Sequence, residues 1–198
     1  MKLSILAKKL YSLSLHKEAA QILRLASKEI FAHISGPSGS GKTTIMEEIS
    51  SLCPDVVAKD LDEFDEEATK WLGLDASWKQ TSWSEELQME HYKVKQDLLD
   101  NFIKENAGRD IVLVGLHEEG GDSLHFDAKH KILLNTDPAE SMRRRIDRDK
   151  GLSSTYQFWK DPNAMASEWE ESQKIVESLT SEGYTPMSRE EILDLFTR

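Results

Sequence analysis

The sequence predicts an α/β fold, a three-layer sandwich in which a parallel five-stranded sheet lies between helices, with a helical extension at the amino end. Three observations predict it. Short apolar runs of strand character alternate with stretches of helical periodicity from residue 29 onward. A glycine-rich segment, Gly36 to Gly41, joins the first such run to the first helix after it. The length, 198 residues, suits one domain with a small appendage and a core that needs no disulfide or metal.

The elements follow in order. Residues 1–28 read as two short helices, with Leu3, Leu6 and Leu10 at helical spacing, then Leu15, Ala19, Ile22 and Leu23. The domain proper is assigned to 29–198. Residues 29–35 form a buried strand that includes His33, read as a core histidine. Ile45, Met46 and Ile49 mark a helix over 42–52, stopped by Pro54. Cys53 lies in a small apolar turn there and reads as a packed residue. Val56-Val57-Ala58 is the second strand, running into Asp60-Leu61-Asp62. An acidic, tryptophan-rich insert is expected at about 62–83, and Ser82 with Glu85 has capping-box spacing for a helix over about 84–105. Ile111–Val114 and Lys131–Leu134 are strands three and four. Asp137-Pro138-Ala139-Glu140 supplies an N-cap, a proline at the first helical position and an acid three residues past the cap. The helix it opens carries four arginines and ends near Gly151. A lid is expected at about 149–165. Ser167 and Glu170 cap the next helix, Tyr184–Met187 is the fifth strand, and Ser188 with Glu191 caps the last helix.

Composition narrows the function. The net charge is −11, which disfavours a general nucleic-acid coat protein. The charge is uneven: residues 1–28 carry six Lys/Arg and one Glu, so this basic arm is either a solvated helix or a device for docking a protein partner. Apolar runs are far shorter than the roughly 20 residues of a membrane span. The single cysteine fits a reducing compartment, and Lys8 and Lys9 interrupt any signal-peptide core, so a cytoplasmic location is expected.

Gly36-Pro37-Ser38-Gly39-Ser40-Gly41-Lys42-Thr43 matches the phosphate-binding pattern G-x-x-x-x-G-K-[ST] in its required context, between a strand and a helix. From composition, roughly 0.006 such matches are expected by chance in a chain of this kind. The glycines let the backbone curl so that successive N–H groups face one cavity, and the helix start adds its positive dipole. Gly36, Ser38, Gly39, Ser40, Gly41, Lys42, Thr43 and Thr44 are therefore the expected nucleotide-binding residues. Lys42 places a charge against the β- and γ-phosphates of ATP, and the Thr43 hydroxyl is placed to coordinate Mg²⁺.

The rest of the chain bears on the class. Asn135-Thr136-Asp137 lacks the lysine and spacing of a guanine-reading N-K-x-D, and the chain is short for a typical AAA+ module. The third strand runs into Gly115 where an acid would complete a Walker B strand; Glu118 and Glu119 come later. Asp60 and Asp62, at the carboxyl end of strand two, are the substitute, since that edge of an open α/β sheet faces the ligand crevice. Asp60 is assigned to Mg²⁺ or its waters. Asp62 either orients an acceptor hydroxyl or caps the next helix. Of Arg143, Arg144, Arg145 and Arg148, the pair Arg144 and Arg148 shares a helix face and is assigned to charge stabilisation on the transferring phosphoryl group. Trp71, Trp78, Trp83 and the Tyr156–Trp159 cluster read as satellite cores, with stacking on a base as the alternative.

On these residues the chain resembles the P-loop kinases of small molecules: nucleoside monophosphate, shikimate and gluconate kinases. Asp60-Leu61-Asp62 looks like the D-x-D of the last two, and Gly115-Leu116-His117 falls where they carry an acceptor-binding loop. Arg144 and Arg148 are the best matches to lid-entry arginines. The chain is also similar to uncharacterised viral P-loop proteins. It departs from the nucleoside monophosphate kinases at strand three, where Val114-Gly115-Leu116-His117-Glu118 stands in place of Asp-Gly-Phe-Pro-Arg. The resemblance implies transfer of the γ-phosphoryl of Mg-ATP to a small-molecule or nucleotide acceptor. A nucleic-acid 5′-end kinase and a nucleotide-binding adaptor with little turnover are the alternatives.

Overall fold

The computed structural model describes residues 29–74, 83–116, 124–150 and 161–197. The basic arm, His117, Glu118, Glu119, Trp78, Ser82 and the Tyr156–Trp159 cluster lie outside them. The described elements run β1 (Glu29–Ser35), α1 (Lys42–Leu52), β2 (Val56–Asp60), α2 (Leu61–Trp71), α3 (Glu85–Glu105), β3 (Asp110–Val114), β4 (Asp127–Leu134), α4 (Pro138–Asp149), α5 (Pro162–Ser181), β5 (Thr185–Met187) and α6 (Arg189–Thr197). The strands form one five-stranded sheet in the order β2-β3-β1-β4-β5. β4 and β5 pair in parallel, with Leu133 opposite Pro186, and the proline is tolerated because β5 is an edge strand. Among the described residues no helix is long and apolar enough to cross a membrane.

The chain divides into two compact units. The first holds β2, α2, α3 and β3 as far as Leu113, together with residues 29–32 and 124–129. Asp60 caps α2: its Oδ1 accepts from the Asp62 amide at 3.1 Å, and Glu63 accepts from the Asp60 amide at 3.3 Å. Leu61, Phe64 and Ala68 then recur on one face and are buried, Leu61 and Phe64 in a core with Leu99, Ile111 and Leu113. The Phe64 ring meets Phe102 edge-on at 5.6 Å, and Lys59 Nζ lies 4.5 Å from the Phe64 centroid. Buried His91 bridges α3 to α2 at 3.1 Å from Thr69 Oγ1.

The second unit holds residues 33–54, 114–116 and 130–197. His33 is fully buried, as expected of a core histidine, with Nδ1 2.5 Å from the Tyr184 hydroxyl and Nε2 3.2 Å from the Gly115 carbonyl oxygen. Tyr184 packs in turn with Leu133 and Leu179. α6 opens with a reciprocal capping box between Ser188 and Glu191, as its sequence predicts. It packs on α1, where Arg189 grips Glu48 and the half-buried Cys53 thiol donates to the Phe196 carbonyl at 3.4 Å.

Several expectations are corrected. Leu61–Trp71, expected within an irregular insert, is a capped helix; its acidic surface had obscured the spacing of Leu61, Phe64 and Ala68. Trp71 is 69% exposed, so it anchors no satellite core, whereas Trp83 is buried with its ring 4.9 Å from His91. The N-cap of α3 is Ser84, which accepts from the Leu87 amide. β4 begins at Asp127, four residues early, because its first half alternates exposed and half-buried positions. α5 begins at Pro162, within the expected lid, because Asp161-Pro162 repeats the aspartate-cap and proline device of Asp137-Pro138.

Candidate nucleotide site

The glycine-rich loop connects the end of β1 to α1, within the second unit. Gly41 is the N-cap of α1 in a left-handed conformation that aims the first helical amides into the loop. Gly39 is left-handed too, and a Cβ there would lie 2.4 Å from the Ser141 carbonyl oxygen. The loop thus rests directly on α4. Ser40 is buried, and its Oγ has no hydrogen-bond partner. Lys42 Nζ donates to the Gly36 and Pro37 carbonyls at 2.7 and 3.0 Å, so the lysine crosses the loop it belongs to. Ser38, Thr43 and Thr44 are exposed.

A pocket of 490 Å³ opens beside this loop. Ser40, Gly41, Thr44 and Ile45 form one wall. Asn135, Thr136 and Asp137, after β4, form another, and Ser188, Arg189 and Glu190, after β5, close the far side. Thr136 Oγ1 donates to the Ser40 carbonyl at 2.7 Å and ties the β4 terminus to the loop. Arg144 also lines the pocket. Its Nη1 is 3.5 Å from the Ser40 carbonyl oxygen, and its Nε donates to Glu140 at 2.9 Å. Glu140 additionally takes a two-pronged bond from Arg143. These two guanidinium groups hold the Glu140 carboxyl below the usual carboxylate range, Arg143 contributing most.

The remaining assigned residues are placed as follows. Arg148 is 63% exposed and paired with the buried Asp149 at 2.9 Å; it does not line the pocket. Asp60 and Asp62 belong to the first unit, where Asp60 caps α2 and Asp62 is exposed in its first turn. So the residue that caps this helix is Asp60, which leaves Asp62 without that task. The sequence reading missed Thr136 and the Ser188–Glu190 turn. Their signal was position alone, at the carboxyl ends of β4 and β5.

The loop fits a triphosphate and its metal. It offers glycine conformations that aim amides inward, an orphaned hydroxyl on Ser40, the Lys42 ammonium and an exposed Thr43 hydroxyl. Among the described residues no group of three or more His, Cys, Asp or Glu converges on a metal-sized site. A Mg²⁺ ion held here would rely on Thr43, phosphate oxygens and water, its usual mode at such loops.

A family model described as an AAA domain matches residues 33–155, more than half of the chain. The chain belongs to this family. The AAA domain match runs from within β1 through α4, so it contains both the phosphate loop and the arginine helix. It corrects the argument from length against an AAA module, because the matched core is itself short. No curated protein matches. Among solved structures, a shikimate kinase from Acinetobacter baumannii in complex with shikimate is 17% identical, covering 84% of this chain and 92% of its own, with a TM-score of 0.46. A gluconokinase from Sinorhizobium meliloti 1021 is 14% identical over 87% and 89% of the two chains, at 0.40. An unliganded sugar kinase from Janibacter sp. HTCC2649 is 15% identical over 85% and 90%, at 0.41.

Proposed function

We propose that this AAA-domain chain is an ATP-dependent phosphotransferase acting on a small-molecule or nucleotide acceptor, in the cytoplasm. The observation that carries the reading is the convergence of Lys42 and Arg144 on one glycine loop beside a pocket of 490 Å³, which suits a nucleoside. Mg-ATP bound there supplies the transferable γ-phosphoryl group. The loop amides and Lys42 hold the phosphates, with the ammonium leaving the Gly36 and Pro37 carbonyls for stronger anionic acceptors. Thr43 holds the metal. Arg144, oriented by Glu140, covers the nucleotide from the α4 side and offsets charge as it develops. The base lies against Thr44 and the Ser188–Glu190 turn. From their position at the carboxyl end of β2, Asp60 is assigned to metal-bound water and Asp62 to the acceptor hydroxyl. Arg148 is assigned to the phosphoryl group on closure, which requires it to exchange Asp149 for phosphate.

The test is ADP release from Mg-ATP against nucleosides, nucleotides, sugar acids and short 5′-hydroxyl oligonucleotides, with Lys42→Ala as the blank. Acceptor-dependent release that vanishes in the blank supports the reading and names the acceptor class. Tight ATP binding with no acceptor-stimulated turnover across the panel refutes it in favour of a nucleotide-binding adaptor.

A further inference from the structure

The far side of the nucleotide pocket carries two charged side chains of opposite sign, Arg189 and Glu190, in the first turn of α6. Both belong to the second unit, as do the phosphate loop and α1. The Arg189 guanidinium is gripped along one edge only. Its Nε and Nη2 donate to the two carboxylate oxygens of Glu48 on α1, at 2.8 and 2.5 Å. A fork of this kind fixes the plane of the group. Nη1 takes no part in it. A Glu190 carboxylate oxygen stands 3.7 Å from Nη1, longer than a hydrogen bond. The two side chains are 51% and 77% exposed, and so loose a pair is worth little and yields readily to a ligand. The turn therefore presents an N–H donor and a carboxylate acceptor side by side.

This arrangement has a counterpart on a purine. On its imidazole side adenine offers the N7 acceptor beside the N6 amino donor, whereas guanine offers two acceptors, N7 and O6. The spacing selects that side of the base. N6 and N7 stand one bond farther apart than N6 and N1 on adenine's other edge, or O6 and N1 on guanine's. The 3.7 Å between Nη1 and the Glu190 oxygen suits the wider pair. Adenine then satisfies both side chains. Guanine turns O6 against a carboxylate, and two acceptors that face each other leave both unpaired.

We propose that Arg189 and Glu190 select adenine over guanine, with Arg189 Nη1 donating to N7 and the N6 amino group donating to Glu190. Glu48 acts as a positioning residue, because it sets the direction in which Nη1 points. This selection rests on the reading of the pocket as the nucleotide site and names the base that the site takes. It requires binding only, not phosphoryl transfer.

The test measures equilibrium Kd values of the full chain for Mg-ATP, Mg-GTP and Mg-7-deaza-ATP, in which a C–H group replaces N7. GTP is expected to bind at least about tenfold more weakly than ATP, and 7-deaza-ATP at least about threefold more weakly, as suits a charge-assisted bond in partial contact with water. Arg189→Met is expected to bind ATP and 7-deaza-ATP alike. Glu190→Gln is expected to narrow the gap between ATP and GTP to less than about threefold, because an amide can turn to donate to O6. The exposed Glu190 carries no fold contact beyond Arg189, so this variant serves where Arg189→Met fails to fold. Glu48→Ala is expected to shrink the 7-deaza penalty to less than about twofold, a ratio that a merely structural anchor of α6 would leave untouched. GTP bound as tightly as ATP overturns the selection, as does 7-deaza-ATP bound as tightly as ATP, or a GTP gap that Glu190→Gln leaves unchanged. A full 7-deaza penalty in Glu48→Ala overturns its positioning role. Failure of all three nucleotides to bind refutes the nucleotide site itself, a result distinct from binding without preference.

Discussion

Replacing Gly39 with alanine tests whether close packing of the phosphate loop on α4 sets nucleotide affinity. Gly39 has φ +80, a conformation that costs a residue bearing Cβ about 1–2 kcal/mol. The added carbon would lie 2.4 Å from the Ser141 carbonyl oxygen and 2.8 Å from Arg145 Cγ. Arg145 has a flexible side chain and yields. The Ser141 carbonyl is helix backbone and does not, so the loop must retreat by about 1 Å to regain van der Waals distance. A displacement of that size in a positioning element costs about 100-fold where geometry governs function. Gly73→Ala is the control. Gly73 has φ +67 and nothing within 4 Å of its virtual Cβ, so it carries the backbone cost without the collision. Each kcal/mol lowers Tm by about 2–4 °C in a chain of this size. Gly73→Ala is expected to lower Tm by about 2–8 °C and to leave Mg-ATP affinity unchanged. Gly39→Ala is expected to lower Tm at least as far and to weaken Mg-ATP by about 10- to 100-fold. Thermal melts and titration calorimetry read both. A Gly39→Ala protein that binds Mg-ATP as tightly as the parent, with a Tm no lower than that of Gly73→Ala, refutes the reasoning.

Lys42→Ala removes a charge-assisted contact worth about 1.5–3 kcal/mol, so Mg-ATP affinity is expected to fall by about 10- to 150-fold in equilibrium titration. Arg144→Met is expected to weaken Mg-ATP by at least about tenfold, while Arg148→Met changes ground-state affinity by less than about threefold, as suits an exposed arginine already paired with Asp149. Glu140→Gln leaves Arg144 without its carboxylate anchor and is expected to weaken Mg-ATP by a few-fold. The same link fixes a pH dependence. The folded-state pKa of Glu140 is depressed by Arg143 and Arg144, so its stabilising contribution is present above the unfolded-state value and is lost only as pH falls through the lowered one. Parent and Glu140→Gln melts should therefore differ at neutral pH and converge in acid. Tyr184→Phe removes the hydroxyl 2.5 Å from buried His33 Nδ1 and is expected to cost about 1–3 kcal/mol, read as a lowered Tm.

The phosphate loop was legible because its pattern is local: eight consecutive residues set both the turn and the chemistry. The caps at Asp137-Pro138 and Ser188–Glu191 were legible for the same reason, and the structure keeps both. Periodicity failed where an element is buried on one side only. α2 carries five acidic residues, Asp62, Glu63 and Glu66 exposed and Asp65 and Glu67 half-buried in ion pairs with Lys95 and Lys59, and these masked a sound apolar stripe. The first half of β4 places Asp127 and Lys129 outward between half-buried Ala128 and His130. The far wall of the nucleotide pocket was illegible for a different reason. Ser188, Arg189 and Glu190 lie about 150 positions after the loop they face, and only the parallel pairing of β5 with β4 brings them there.

The four arginines of α4 show why composition cannot rank functional residues. Each has an acidic partner: Glu140 for Arg143 and Arg144, Glu168 for Arg145, Asp149 for Arg148. Counting ion pairs would dismiss all four as structural. Rotation about the helix separates them, because successive residues differ by about 100°. Arg143 points to solvent at 70% exposure, and Arg145 is drawn toward α5 and left only 16% exposed. Arg144 keeps a second contact, the Ser40 carbonyl of the phosphate loop, besides its carboxylate. A cation shared between a carboxylate and a loop carbonyl is already oriented and needs little rearrangement to meet a phosphate. Arg148 must first give up the buried Asp149, so its engagement is tied to a change at the carboxyl end of α4. In the proposed reaction this helix supplies both a charge already at the phosphate loop, Arg144, and one held by Asp149 until closure, Arg148. The loop rests on the same helix at Gly39.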